Sequence, residues 1–204
     1  MTGTLSVNGK TAALFGTGYH SHQWGNFCYP SAWNNWTWGR QYFGEETFLF
    51  FDLAARRGFE NGRAMICLWQ DGSGKALFSH AGPAKVEVLE TFREPASQKI
   101  CPKASRYLIT EGEKTLTCTL TGDRVLNASA ARTALSFPKS LLLAAARINP
   151  SYCRFRGTGE LALTGPETGI SRKSFLLYEF IFPGNQSVYR KIRRVLSEEA
   201  AYFF

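Results

Sequence analysis

The residues able to do chemistry in this chain are concentrated near its start. His20 and His22, two of only three histidines, sit one residue apart in "GYHSHQWGN", residues 18–26. Four of the five tryptophans follow or flank them, at Trp24, Trp33, Trp36 and Trp38, the last three in "WNNWTWGR", residues 33–40. A carboxylate, Asp52, closes the apolar run "FLFFDL" shortly afterwards. In an extended chain side chains alternate between two faces. His20, His22 and Trp24 would then share a face, as would Trp36 and Trp38, and Phe50 and Asp52. Imidazole and carboxylate under an aromatic wall are suited to proton transfer.

Three readings of this cluster compete. Two histidines at i, i+2 can chelate a metal, but such a site needs a third or fourth ligand and the pattern alone specifies none. The aromatics could instead fill one end of a barrel, with the histidines satisfied by hydrogen bonds. The third reading is a catalytic or binding pocket. No metal and no cofactor is expected: a thiolate or carboxylate companion to His-x-His is absent at short range, and neither a GxGxxG turn after a strand nor a GKS/T loop occurs.

The elements that must position these residues read as strand after strand. "TLSV" and "TAALF" flank "NGK", "AMICLWQ" and "KALFSH" flank "DGSG", and "SRYLIT" and "KTLTCTLT" flank "EGE", each pair reading as a hairpin. "ETFLFFDL" reads as a buried strand, and "AKVEVLETF" alternates with Val86, Val88 and Phe92 on one face. "CRFRGTGELALTG" and "SFLLYEFIF" add two more. One helix is expected over residues 186–200, with Val188, Ile192, Val195 and Leu196 on one stripe. The fold class is therefore all-β: an antiparallel barrel or strongly curved sandwich of about 8–10 strands with a C-terminal helix, formed by residues 1–204 as a single domain. A closed barrel of this strand number can hold one small apolar ligand.

Composition narrows the function classes. The chain has 204 residues, a hydrophobic fraction of 44%, 16 Phe and 8 Tyr, which suits packed strands or a large aromatic cavity. No apolar window approaches the roughly 18 residues of a spanning helix. The N-terminus lacks a signal-peptide pattern and reads as starting inside a structured domain. Five scattered cysteines without a CxxC pair read as buried reduced thiols, so an intracellular, cytoplasmic setting is expected. The formal charge of +8 owes much to "YRKIRR", residues 189–194, which allows at most peripheral contact with an anionic membrane. No nucleic-acid-binding signature accompanies it, so nucleic acid is not an expected partner.

The order "GYHSHQWGN…WNNWTWGR…FLFFDL" resembles the signature of the carotenoid 1,2-hydratase and AttH-like group, which also includes kievitone hydratase-type enzymes and fungal Diels–Alderases. The match covers Gly18, Tyr19, His20, His22, Trp24, Gly25, then Trp36, Trp38, Gly39, Arg40, then Asp52. The resemblance is specific over residues 2–53 and implies a lipocalin-like fold, in a group that usually carries two related β domains with the motif opening the second. The chain would then correspond to the C-terminal half alone, or to a family member reduced to one barrel.

The resemblance also implies roles. His22, Trp24 and Asp52 would be catalytic, and Tyr19, His20, Trp36, Trp38, Arg40 and Phe50 would bind substrate. Ser21 stands where the group has an acidic residue, and Phe50 stands at the position of its tyrosine, so a hydroxyl is missing from that strand. Asp52 is expected to act as a proton donor, because burial among apolar groups would disfavour its charged form. The tryptophan faces would stabilise developing positive charge. The expected activity is that of a cofactor-independent lyase or isomerase. Its apolar terpenoid, polyene or polyketide substrate would undergo hydration or dehydration at a carbon–carbon double bond, or acid-assisted or shape-directed cyclisation or isomerisation, in secondary metabolism. The alternative is a lipocalin-like carrier of a lipid or pigment that performs no reaction.

Overall fold

The computed structural model describes residues 2–16, 32–56, 62–130, 150–166 and 168–183, with isolated positions between 136 and 141. The helix expected over residues 186–200 lies outside the described residues. Within them the chain is all antiparallel β, and eleven strands follow one another. They are β1 (Thr2–Val7), β2 (Lys10–Phe15), β3 (Trp33–Phe43), β4 (Glu46–Ala55), β5 (Arg63–Gln70) and β6 (Ala76–Gly82). β7 (Lys85–Arg93), β8 (Ile100–Glu111), β9 (Lys114–Ala130), β10 (Ser151–Gly165) and β11 (Thr168–Phe182) complete the set.

The three hairpins read from the sequence form as expected. Asn8 and Gly9 adopt φ of 51° and 75° between β1 and β2, the left-handed pair that a two-residue hairpin turn needs. Gly74 (φ 84°) and Gly112 (φ 58°) serve the turns after β5 and β8. The β1–β2 hairpin forms its own two-stranded sheet, and the other nine strands form one sheet in the order β6-β5-β4-β3-β11-β10-β9-β8-β7.

This nine-stranded sheet curls into a barrel, with a seam where its edge strands approach. β6 runs on across Pro83 and Ala84 into β7, so one continuous length of chain pairs with β5 in its first part and with β8 in its second. At the seam the His80 Nδ1–H donates to Glu111 Oε2 at 2.7 Å, tying β6 to β8. β7 follows the expected alternation at its two ends, where Val86 and Phe92 pack on the core. Register shifts between Val88 and Thr91 disturb it in the middle, and Val88 lies exposed at 46%. An extra residue of this kind bends the strand, as the turn of the sheet at its edge requires.

The core lies inside the curl. Phe48 and Phe50 from β4, Met65 and Trp69 from β5, Tyr107 and Ile109 from β8, Leu116 from β9, Phe155 from β10 and Tyr178 from β11 are all buried. Gly39 lets this packing close. A Cβ there would stand 2.7 Å from both the Phe50 ring and Tyr178 Cβ, so the glycine of "WTWGR" makes room for an aromatic layer across β3.

The connections divide by end. The links β3–β4, β5–β6, β8–β9 and β10–β11 are tight turns at one end of the barrel. At the other end β4, β7, β9 and β11 close and β3, β5, β8 and β10 open, and the sequence lengths between these strands are longer there. A barrel presents ligands to the end that carries its variable connections.

Candidate functional site

Asp52 stands at the end with the long connections. Cross-strand register places Met65, Asp52, Thr37, Phe180 and Cys153 in one interior row across β5, β4, β3, β11 and β10. Asp52 is 2% exposed. A carboxylate this buried needs donors for its oxygens and a compensating charge. Arg63, at the start of β5, supplies both. Its Nε–H donates to Asp52 Oδ1 at 2.6 Å and its Nη2–H to Oδ2, a two-pronged fork. Tyr107 Oη–H, from β8, donates to Oδ2 at 3.1 Å.

The electrostatics follow from these contacts. The hydrogen bond from Asp52 raises the Arg63 guanidinium above its ordinary value, burial opposes this, and the Asp52 charge adds to the rise. Burial first, then the Asp52 charge, holds the Tyr107 hydroxyl well above the ordinary tyrosine value, so Tyr107 is a neutral donor. The Arg63 side chain is 36% exposed and stands between the carboxylate and solvent. Asp52 thus accepts from three donors, at the inner end of a chain of polar groups that reaches the rim. The sequence sets Asp52 in an apolar run; the structure sets the Arg63 guanidinium and the Tyr107 hydroxyl against its oxygens.

The sequence-predicted residues divide between the two faces of the sheet. Phe50 points inward beside Asp52, its ring 6.1 Å from that of Tyr107. Trp36, Trp38 and Arg40 alternate with the buried Thr37, Gly39 and Gln41 and so take the outer face of β3. Trp38 stacks on the outward Phe51 at 6.1 Å between centroids, and its Nε1–H donates to Glu179 Oε2 at 2.8 Å. Trp36 stands opposite Leu53 and Ile181 on the same side. Trp36, Trp38 and Arg40 therefore lie on the face of β3 opposite to the row that carries Asp52. Phe50 and the Tyr178 side chain leave no space for bulk on the inner face at Gly39, and the indoles take the other side. Tyr19, His20, His22 and Trp24 lie outside the described residues. At the start of β3 the Arg56 N–H donates to Ala32 O at 2.9 Å.

Sequence reasoning missed Arg63 and Tyr107. A buried aspartate on an apolar strand calls for a cation, but nothing local selects Arg63 among 24 lysines and arginines. Tyr107 lies 55 residues from Asp52 and meets it only across the barrel. Its hydroxyl comes to Asp52 from β8, whereas the β4 position beside Asp52 carries Phe50. Among the described residues no group of three histidine, cysteine, aspartate or glutamate side chains could hold a metal ion. No helix among them is long and apolar enough to cross a membrane.

No protein-family model and no curated protein sequence matches the chain. Solved structures share its fold at low sequence identity. Kievitone hydratase from Nectria haematococca matches with a TM-score of 0.52 and 15% identity, over 90% of this chain and 50% of that one. CghA in its crystal structure with Sch210972 matches with a TM-score of 0.52 and 10% identity, over 76% of this chain and 42% of that one. The chain spans about half the length of the structures it matches. These neighbours come from the group that the "GYHSHQWGN" and "WNNWTWGR" segments resemble, and the barrel is of their lipocalin-like kind.

Proposed function

We propose that the chain forms an enzymatic β-barrel that binds an apolar small molecule at the end with long connections and acts on a carbon–carbon double bond without a cofactor. The observation that carries this reading is the buried Asp52 carboxylate, held by Arg63 and Tyr107 at that end. The fold it shares with a hydratase supports the reading. A carboxylate that accepts from Arg63 and Tyr107 suits a base. In hydration it would take the proton of the attacking water while an acid delivers one to the alkene carbon, so the net change is addition of water. His22 is assigned as that acid and Trp24 as an aromatic wall, because the resemblance of "GYHSHQWGN" to the hydratase group gives both a catalytic role. Dehydration runs the same steps backwards. In an isomerisation Asp52 would remove a carbon-bound proton and return it elsewhere. In a cyclisation the mouth would act by holding the substrate in a reactive conformer.

One observation favours the second reading, a carrier that performs no reaction. The Arg63 fork and Tyr107 already occupy both oxygens of Asp52. A pair that never opens would be structural. The experiment is incubation of the protein with a panel of prenylated phenols, terpenoids and polyenes, kievitone among them, with products followed by mass. Addition or loss of water, or an isomer of equal mass and new retention time, supports the enzyme. Activity should then fall by about 10²–10⁴ in Asp52→Asn. Bound and unaltered ligand with no turnover across the panel would establish the carrier.

A further inference from the structure

Four cysteines among the described residues are free and buried, and two of them touch. Cys101 Sγ and Cys153 Sγ stand 2.8 Å apart. They belong to β8 and β10, which are not neighbours in the sheet, since β9 lies between them. The contact therefore spans the interior of the curl. Both side chains are fully buried, and Cys153 occupies the interior row that carries Asp52, with Phe180 and Thr37 between them. Packing of ordinary apolar side chains does not require two sulfurs this close, and a disulfide bond needs them only slightly closer, at about 2.05 Å.

The two sulfurs are also unequal. The contact between the two thiols is the main reason that Cys101 is held below the ordinary cysteine value while Cys153 is raised, since a proton shared between them can stay on only one sulfur. Cys67 and Cys118 make the contrast. Burial pushes Cys67 up to about 12 and Cys118 higher, which keeps both protonated and inert. Cys101 is the second residue of β8 and Cys153 the third of β10, so the pair lies near the end of the barrel where both strands open.

We propose that Cys101 and Cys153 are a modification site, a dithiol that a small peroxide converts to a reversible disulfide bolting β8 to β10 at the mouth of the barrel. The Cys101 thiolate attacks one oxygen of hydrogen peroxide, forming a sulfenic acid and releasing hydroxide, which takes a proton to become water. Cys153 sulfur then attacks the Cys101 sulfur, the sulfenic oxygen leaves as a second water with the Cys153 proton, and the disulfide forms. The protein loses two electrons and two hydrogens, and one peroxide becomes two waters. A dithiol reductant reverses the step.

The test uses the reduced protein in its native state. It is treated with hydrogen peroxide, quenched with catalase, unfolded, alkylated and mapped by mass. Two of the five thiols should escape alkylation. One cross-linked peptide should join Cys101 to Cys153, lighter than the reduced pair by two hydrogens and restored by dithiothreitol. Cys67→Ser should keep the link. Cys153→Ser should lose it and leave Cys101 as a sulfenic acid that dimedone traps. The wild-type map decides the matter if Cys153→Ser fails to fold. Links to Cys28, Cys67 or Cys118 in place of this pair would overturn the proposal. So would a native protein that keeps all five thiols at a peroxide dose that oxidises the unfolded chain.

Discussion

Replacing Arg63 with Leu should destabilise the protein more than any other single change to a half-exposed residue. The carboxylate left behind is 2% exposed and loses two of its three donors together with its counter-charge. Breaking a fully buried pair by removing one partner costs about 3–5 kcal/mol. The Arg63 side chain is 36% exposed, so solvent screens part of the interaction and water can reach part of the space it vacates. The expected loss is therefore about 2–3 kcal/mol, a fall in Tm of roughly 4–12 °C for a domain of this size. Urea unfolding and calorimetry of Arg63→Leu, Asp52→Asn and the double variant measure it. The double variant has no unpaired buried charge, so its loss should be smaller than the sum of the single losses by about 1.5–3 kcal/mol. An Arg63→Leu protein within about 0.5 kcal/mol of wild type would refute the reasoning, because Asp52 would then have a source of compensation other than the fork.

The raised tyrosines make a prediction about alkaline pH. The folded Tyr107 value lies above the ordinary 10, so the unfolded chain releases its proton first and binds fewer protons above that pH. Stability should then fall as pH rises beyond 10, by up to about 1.4 kcal/mol per pH unit for each such group, and more gently in Tyr107→Phe, as equilibrium unfolding across that range would register. Gly39→Ala should cost about 2–3 kcal/mol in urea unfolding, since the new methyl meets Phe50 and Tyr178 inside 3 Å; a neutral result would mean that the aromatic layer can move aside. Trp38→Phe should cost about 0.5–1.5 kcal/mol by the same assay through loss of the Glu179 hydrogen bond, and should leave the turnover of any substrate found by the panel unchanged, because its ring lies on the face away from Asp52.

Local chemistry in the sequence determined the strands, the three hairpins and the all-β class. Asn-Gly, Asp-Gly-Ser-Gly and Glu-Gly-Glu each sit between alternating runs, and a turn needs only the residues that form it. Alternation likewise showed that Trp36 and Trp38 share a face, and that Phe50 and Asp52 do. Period two does not say which face becomes the inside. Tertiary packing decided that, by closing Phe50 and Tyr178 over Gly39 and sending the two indoles outward. The sequence also set an aspartate in the apolar run "FLFFDL", and a buried carboxylate needs partners for its oxygens. Only the curl of the sheet chose the partners. It brought Arg63 beside Asp52 from the next strand and Tyr107 to it across the interior, and set Cys101 against Cys153 with a strand between them. Such contacts depend on strand order and closure, which no run of neighbouring residues encodes by itself.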